Sequence, residues 1–311
     1  MKQSAISISG NEFFSCDDFR LTLMQAHCCE NDPVDGNYTY INHYHSFSEI
    51  VLITSGSALQ NINGIDYNVG TGDLFLLEGE MSHHFQPGKN FSIVNVLFDK
   101  STLELPWSLF RRLEGYNIFF EVEPKFRNLK NFNSHLKLNE HNLEILAQKF
   151  SDIDVKLSQL HQSGTVYDKL EALSLFAKII VFIARLSEKH SAKTESTTSG
   201  ISRAITEIET RFEQNLTISD LSELACTSPR NFFRQFRRAT SQTPTEYLIR
   251  IRMKHALNLL KNPQFSIDAI AGKCGFADSC YFSKCFSSYF GVSARQYRKY
   301  FHRTQRDDIL K

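Results

Sequence analysis

The chain has 311 residues, 41% hydrophobic and 22% charged, with a formal net charge of +1; this balance suits a globular protein long enough for two domains. It excludes a membrane span: the longest apolar region, 173–186, is interrupted by Lys178 and Arg185 and falls short of the roughly 20 residues a crossing needs. The opening MKQSAISISGNEFF lacks the apolar core of a secretory signal, and seven cysteines, an odd number without a C-x-x-C pair, point to free thiols, no cysteine-held metal and a cytoplasmic protein with no membrane partner.

The small net charge hides an asymmetry. Residues 201–311 carry 18 Lys and Arg against 10 Asp and Glu, a net +8, while residues 1–200 carry 17 against 24, a net −7. A basic module following an acidic one is the pattern of a DNA-binding part joined to a separate sensing part.

In chain order, residues 20–98 read as β structure. EIVLIT (49–54), 73–77 and FSIVNVLF (91–98) are rich in Ile, Val, Leu and Phe. Asn63-Gly64 between 58–62 and 65–69 is a hairpin signal. Gly70-Thr71-Gly72-Asp73 and Pro87-Gly88-Lys89-Asn90 mark two further turns. Short strands at close spacing predict a sandwich or barrel of the jelly-roll type. Residues 140–190 read as two helices. Leu143, Leu146, Phe150, Ile153, Leu157 and Leu160 recur at helical spacing; Leu170, Leu173, Phe176, Ala177, Ile180 and Ala184 do the same after a break at Gly164. Ile179, Phe182, Ile183 and Leu186 widen that second face. A face so broad suits a homodimer interface or burial within one chain.

Residues 191–200 hold no large apolar side chain and read as a linker. Beyond them the chain is helical, and one arrangement occurs twice: TISDLSELAC with TSPRNFFRQFRRA (217–239), and SIDAIAGKCGFAD with SCYFSKCFSSYF (266–290). Each copy reads as helix, tight turn, helix. Between them PTEYLIRIRMKHALNLL (244–260) forms a rod about 26 Å long, close to one turn of the major groove, with Thr243 as its cap. Ser228 and Ser266 read as caps of their helices.

Residues 201–303 resemble the DNA-binding domain of the AraC/XylS family of bacterial transcription regulators. LSELACTSPRNFFRQFRRATSQTPTEYL, RIRMKHALNLL, IDAIAGKCGFAD and YFSKCFSSYFGVSARQYRK carry the resemblance. It implies double-stranded DNA, at a promoter or operator, and RNA polymerase as partners. Periodicity turns Phe232 and Phe236 inward and leaves Arg230, Arg234, Arg237 and Arg238 outward. By family position Arg230, Phe233 and Arg234 read base edges, while Ser228 and Asn231 stand at the helix start, where caps and phosphate contacts lie. In the second copy Ser279, Cys280, Ser283 and Lys284 face outward with Tyr281 beside them. One cation against four makes the first helix the main reader and the second a holder of the DNA backbone. Cys226-Thr227-Ser228 departs from the family in lacking a Gly or Asn in the turn.

Residues 38–98 resemble the cupin-like effector domain of the same family. His43, His45, Glu49 and Gly56 give H-x-H-x3-E-x6-G, and Gly72-Asp73 with His83 give part of a second motif in which Glu78 and Glu80 replace Pro and Gly. An organic-effector pocket with no cofactor is the first reading, with Tyr38, Tyr40, His43, His45, Glu49, His83, Asn95 and Trp107 as lining. A second is a regulator whose His43, His45, Glu49 and His83 hold Zn, Mn, Fe or Ni, or whose thiols such as Cys28 and Cys29 respond to redox state. A third is a cupin enzyme fused to a DNA-binding tail, which the altered second motif opposes. Residues 91–127 resemble the regulators of rhamnose and related sugar operons through N-V-L-F, L-x-G-Y and E-P-x-x-R, which implies a sugar effector and activation. The expected architecture is therefore α+β: residues 1–190 a jelly roll plus a helical pair, 191–200 a linker, and 201–303 an all-α double helix-turn-helix domain. A transcription regulator, not an enzyme, is expected.

Overall fold

The computed structural model describes residues 5–14, 17–28, 41–79, 81–88, 90–126, 136–191 and 197–300. They divide into two compact units, one of residues 1–110 and 118–194, the other of 111–117 and 195–311.

The first unit is a sandwich of two five-stranded sheets. One runs β1 (Ile6–Ser7), β3 (His43–Tyr44), β8 (His83–Pro87), β5 (Ser57–Ile62), β6 (Ile65–Gly70); the other runs β10 (Leu136–Lys137), β7 (Asp73–Glu78), β4 (Ser48–Ser55), β9 (Phe91–Phe98), β2 (Leu21–Cys28). Ala58, Ile62, Val69 and Phe85 of the first sheet pack against Ala26, Val51, Ile53, Phe75, Leu77, Phe91 and Ile93 of the second. Strand β4 lies between β7 and β9 and is buried from Ser48 through Ile53. A strand covered on both faces needs an unbroken apolar run, which is why EIVLIT does not alternate. The β5–β6 hairpin closes through Asn63 at φ 50° and Gly64 at φ 81°, the paired positive φ values of the two-residue turn that follows strand twist.

After β9 come three short helical pieces, α1 (Trp107–Phe110), α2 (Glu114–Tyr116) and α3 (Glu123–Phe126), the last two joined by a π-helical stretch, Asn117–Val122. Two long helices follow, α4 (Glu140–Ser163) and α5 (Val166–Ser191). Asn139 caps α4 by accepting from Asn142 N, and Gly164 ends it at φ 61°. Phe176 of α5 meets Phe98 of β9 with ring centroids 5.0 Å apart, so α5 covers the outer face of the second sheet. Phe176, Ile179, Ile180, Ile183 and Ala184 are buried in this way, whereas Leu170, expected on the same apolar face, is exposed. It lies one turn from the start of α5, beside exposed Val166 and Tyr167.

The second unit is all helix: α6 (Thr197–Arg211), α7 (Ile218–Leu224), α8 (Pro229–Thr240), α9 (Pro244–Leu260), α10 (Ile267–Lys273), α11 (Ser279–Phe290) and a further helical stretch over 294–300. The expected linker is shorter than its composition suggested, because Thr197–Arg211 is one continuous helix and α5 runs on to Ser191. Ile201, Ala204, Ile205 and Ile208 supply the apolar face that pulls its polar first turn into the helix. Residues 111–117, expected with the first domain, group with this unit: Asn117 Nδ2 donates to Thr206 Oγ1 at 2.8 Å, and Ser199 donates to Glu114 at 3.4 Å.

Helix α9 is the rod of this unit. Thr243 and Glu246 form a reciprocal capping box at its start. Its Arg252 donates to the carbonyls of Phe212 (2.7 Å) and Gln214 (2.8 Å) and lies over the Phe276 ring at 5.3 Å. One side chain thus ties the end of α6 to the second turn. Tyr247 donates to buried Glu209 at 2.7 Å, and burial beside that carboxylate pushes the phenol well above its ordinary value.

Candidate functional site

Within the sandwich lies a cavity that gathers most of the sensor residues expected from sequence. Phe13, Met24, Gln25, Ala26, His43, His45, Phe47, Glu49, His83, Phe85, Asn95 and Leu97 line it. Strand pairing explains the convergence. His43 of β3 stands opposite His83 of β8; Glu49 of β4 stands opposite Leu97 of β9 on the facing sheet, and Asn95 opposite Val51 and Met24. Period-two alternation then puts these side chains on the inner faces.

Each of the three histidines is oriented by its own neighbourhood. Nδ1 of His43 donates to the Ile41 carbonyl at 2.7 Å, Nδ1 of His45 to the Phe47 carbonyl at 2.9 Å, and Nδ1 of His83 to the Met81 carbonyl at 2.9 Å. The Phe47 ring stacks on His45 with a 4.0 Å centroid separation and an interplanar angle of 3°. Oε2 of Glu49 lies 3.0 Å from His45 Nε2 and 3.4 Å from His83 Nε2. Burial, then the charge of His83, brings the His43 pKa down to about 4. Burial alone would raise the Glu49 carboxyl, but its contacts with His45 and His83 outweigh that and hold it well below the usual carboxylate range.

Asn95 is buried with its Oδ1 lacking a hydrogen-bond partner, so it offers an acceptor to whatever enters. Trp107, expected in the pocket, is elsewhere: its Nε1 donates to the Leu103 carbonyl at 3.1 Å and its ring stacks toward Phe98. Tyr38, Tyr40, Cys29 and the side chain of Cys28 lie outside the described residues. Sequence reading missed Phe13, Met24, Phe47 and Phe85, and also Gln60. Gln60 is fully buried on β5 opposite Phe85, with neither side-chain amide atom paired. A polar residue between Ala58 and Ile62 in an otherwise inward apolar register was the available signal.

In the second unit Phe232 and Phe236 are completely buried, while Arg230, Arg234, Arg237 and Arg238 are exposed and Phe233 is 40% exposed. Ser228 caps α8 by accepting from Asn231 N. Asn231 is not the cap. Its Nδ2 donates to Thr227 Oγ1 at 2.7 Å, and its Oδ1 accepts from Arg234 at 2.7 Å, so it sets the position of the arginine. On α11, Phe282 and Phe286 are buried, Cys280, Tyr281, Ser283 and Lys284 are exposed, and Ser279 is half-buried. Asp278 caps this helix by accepting from Cys280 N and Tyr281 N. Ser266 caps α10, as expected.

Comparison with known proteins agrees with both halves. The AraC-like ligand binding domain matches residues 34–150, and a helix-turn-helix domain matches residues 221–300. The HTH-type transcriptional activator RhaS of Escherichia fergusonii is 27% identical over 257 residues, covering 83% of this chain and 87% of that protein. The HTH-type transcriptional activator RhaR of Mannheimia succiniciproducens is 23% identical over 299 residues, covering 95% and 98%. Among solved structures, the DNA-binding domain of AdpA in complex with a target DNA is similar to 34% of this chain and 95% of that one, with 27% identity and a TM-score of 0.32. No helix among the described residues is long and apolar enough to cross a membrane. A ligand-binding domain followed by paired helix-turn-helix units, in an order shared with these activators over most of their length, gives this chain the domain organisation of the AraC family of transcription regulators.

Proposed function

We propose that the protein is a cytoplasmic, homodimeric transcription activator whose hold on promoter or operator DNA is set by a small sugar in the sandwich cavity. The observation that carries this is the joining, on one chain, of a cavity lined by aromatic and polar side chains to a helix, α8, with four exposed arginines. Aromatic faces with a few hydrogen-bonding groups suit a hydroxyl-rich ligand. His43, His45, Glu49, His83 and Asn95 are the effector contacts in this reading, with Tyr38 and Tyr40 on the segment before β3.

On the DNA side, Arg230, Phe233 and Arg234 read base edges, and Ser228, Arg237 and Arg238 hold phosphates. Ser279, Cys280, Tyr281, Ser283 and Lys284 seat α11 against the backbone. Exposed Val155 of α4, with Val166, Tyr167 and Leu170 of α5, form the dimer contact, and RNA polymerase is the partner at the promoter. The sugar acts by binding one conformation of the sensor more tightly than the other, since only a difference in affinity moves such an equilibrium.

A thermal-shift screen of the purified chain against a panel of sugars, L-rhamnose included, tests the effector class. A saturable rise with one sugar and not its isomers is expected, because a ligand of the native state raises apparent stability by mass action. No shift with any sugar removes the sugar reading and leaves DNA binding standing.

A further inference from the structure

We propose that residues 111–117 are a strap by which the chain of the first unit holds the turn of the first helix-turn-helix, with Arg203 as the positioning residue between strap and turn. This goes beyond the effector reading and does not depend on the effector being a sugar.

Two domains of one chain are ordinarily joined by one linker. Here the chain crosses into the second unit after Phe110, returns at Ile118, and crosses again after 194. Peptide bonds therefore tie both ends of 111–117 to the first unit, while its packing belongs to the second. One side chain fastens it there. Asn117 is fully buried, and its Nδ2 spends both protons, on the Arg111 carbonyl at 2.7 Å and on Thr206 Oγ1 at 2.8 Å. That amide closes the strap end to end and pins it to α6. Gly115 and Tyr116 are buried with it. The charge of Arg111 is felt by Tyr247 and that of Arg112 by His255, both on α9. The return runs into the π-helical stretch Asn117–Val122, a rare form concentrated at functional sites.

Helix α6 meets the first turn without room to spare, since a Cβ on Gly200 would lie 2.5 Å from the Ala225 carbonyl oxygen. Arg203, about one helical turn further on, makes the bonds. Its Nη1 donates to Ser199 Oγ at 2.7 Å, and that hydroxyl donates to Glu114 Oε1 of the strap at 3.4 Å. Its Nε donates to the Leu224 carbonyl at 3.3 Å, and its Nη2 lies 3.9 Å from Cys226 Sγ. Leu224 is the last residue of α7, and its carbonyl is among those a helix leaves without a donor of its own. Cys226, at φ 52°, is where the chain turns toward α8. A rigid guanidinium fork serves strap and turn together, which a single ammonium cannot. Arg203 and Glu114, 4.0 Å apart with side chains 34% and 26% exposed, gain little as an ion pair; the shared geometry is what matters.

The second turn has its own arginine. Arg252 bonds to Phe212 and Gln214 and lies over Phe276, residues outside the strap. The strap therefore bears on the turn that leads into α8, the helix with four exposed arginines, and not on the turn before α11. Freeing the strap would free Arg203, loosen the turn at Cys226 and blur the placement of α8. Sequence-specific binding needs that placement, whereas binding to any phosphate backbone does not.

The test combines hydrogen exchange of the full chain, followed by mass spectrometry, with fluorescence anisotropy. The DNA probes are a duplex selected from random sequence by the wild-type chain and a scrambled version of it. Asn117→Ala and Arg203→Lys each remove hydrogen bonds worth about 2- to 10-fold. Both should speed exchange at 224–228 and weaken the selected duplex by about that factor, with scrambled DNA and the amides of 274–282 unaffected. Arg252→Lys should do the reverse, speeding exchange at 274–282 and leaving 224–228 as in wild type. Glu114→Gln, which keeps the shape and removes the charge, should act in the same direction as Asn117→Ala but less, and decides the matter if Asn117→Ala fails to fold. Exchange altered only within 197–206, or altered equally at both turns, overturns the proposal, as does an unchanged preference for the selected duplex in the strap variants.

Discussion

In the first helix-turn-helix unit the chain leaves α7 through Cys226 at φ 52°, and in the second it leaves α10 through Gly275 at φ 80°. The bonds around those residues match. Ala225 N reaches Leu221 O at 3.0 Å and Cys274 N reaches Ile270 O at 2.9 Å; Thr227 N reaches Ser222 O and Phe276 N reaches Ala271 O, both at 3.0 Å. Phe232 and Phe282, each the fourth residue of its helix, are both fully buried. The surfaces differ. Helix α8 shows four arginines and a neutral serine cap; α11 shows one cation, Lys284, with Tyr281, Tyr289 and small side chains, and an anionic cap, Asp278. One backbone has thus been given two electrostatic characters, and phosphate and guanine would meet very different helices on the two sides of α9.

The steepest way to separate the two turns is Gly275→Ala. A Cβ there would meet the Glu213 carbonyl oxygen at 2.6 Å, on a residue already at positive φ. Left-handed strain and overpacking together should cost about 2–5 kcal/mol, read as a lowered unfolding midpoint of the C-terminal unit; a change under 1 kcal/mol would show that this turn is not tightly set.

For the two surfaces, Arg234→Ala should weaken specific operator binding while the fold survives. A bidentate base contact is worth about 1–3 kcal/mol, or about 5- to 150-fold. Lys284→Ala should weaken all sequences alike and lower the salt slope by about one. Fluorescence anisotropy on operator and scrambled DNA, at several salt concentrations, decides between them. Equal and sequence-independent losses would erase the distinction drawn between α8 and α11.

Cys226→Gly should move stability the other way from Gly275→Ala. Relief of left-handed strain exceeds the added freedom of glycine in the unfolded chain, leaving a gain of about 0.5–1 kcal/mol. Loss of stability in a denaturant titration would mean that Cys226, which lies 3.9 Å from Arg203, is held by contacts worth more than its strain.

Much of this architecture was legible because local signals and tertiary needs coincide. The apolar run of β4, the Asn63-Gly64 turn, the Ser228, Thr243 and Ser266 caps and the inward Phe232 and Phe236 each rest on spacing within a few residues. The histidines and Glu49 were found by spacing too, but their meeting depends on His43 pairing with His83, 40 residues along. What escaped notice was non-local or locally ambiguous. Met24 reaches the cavity through the register of β2 on β9, and Phe13 through the turn after a short helix at Gly10–Glu12, placements that no short window contains. Trp107 carries a pocket-like side chain and is used to pack Phe98 instead. The polar stretch before Ile201 reads as linker until the buried face of α6 is seen to draw its first turn into a helix.

The smallest effect tests the caps. Asp278 already uses the N–H groups of Cys280 and Tyr281, which in α8 are the kind of groups a phosphate can share. Its charge also repels a phosphate approaching the start of α11. Asparagine caps about as well as aspartate and carries no charge, so Asp278→Asn should leave stability within about 0.5 kcal/mol. DNA affinity should rise by a few-fold at low salt, an advantage that shrinks as ionic strength rises, because the removed repulsion is screened over about 10 Å at 0.1 M. The matching change in α8, Ser228→Asp, keeps a competent cap and adds the charge, and should weaken binding by more, since the new charge would stand at the start of the helix that carries the four exposed arginines. If both substitutions left affinity unchanged at low salt, the N-termini of α8 and α11 would lie away from the phosphates, and the assignment of Ser228 and Ser279 to the DNA contact would fail while that of Arg230 and Arg234 would not.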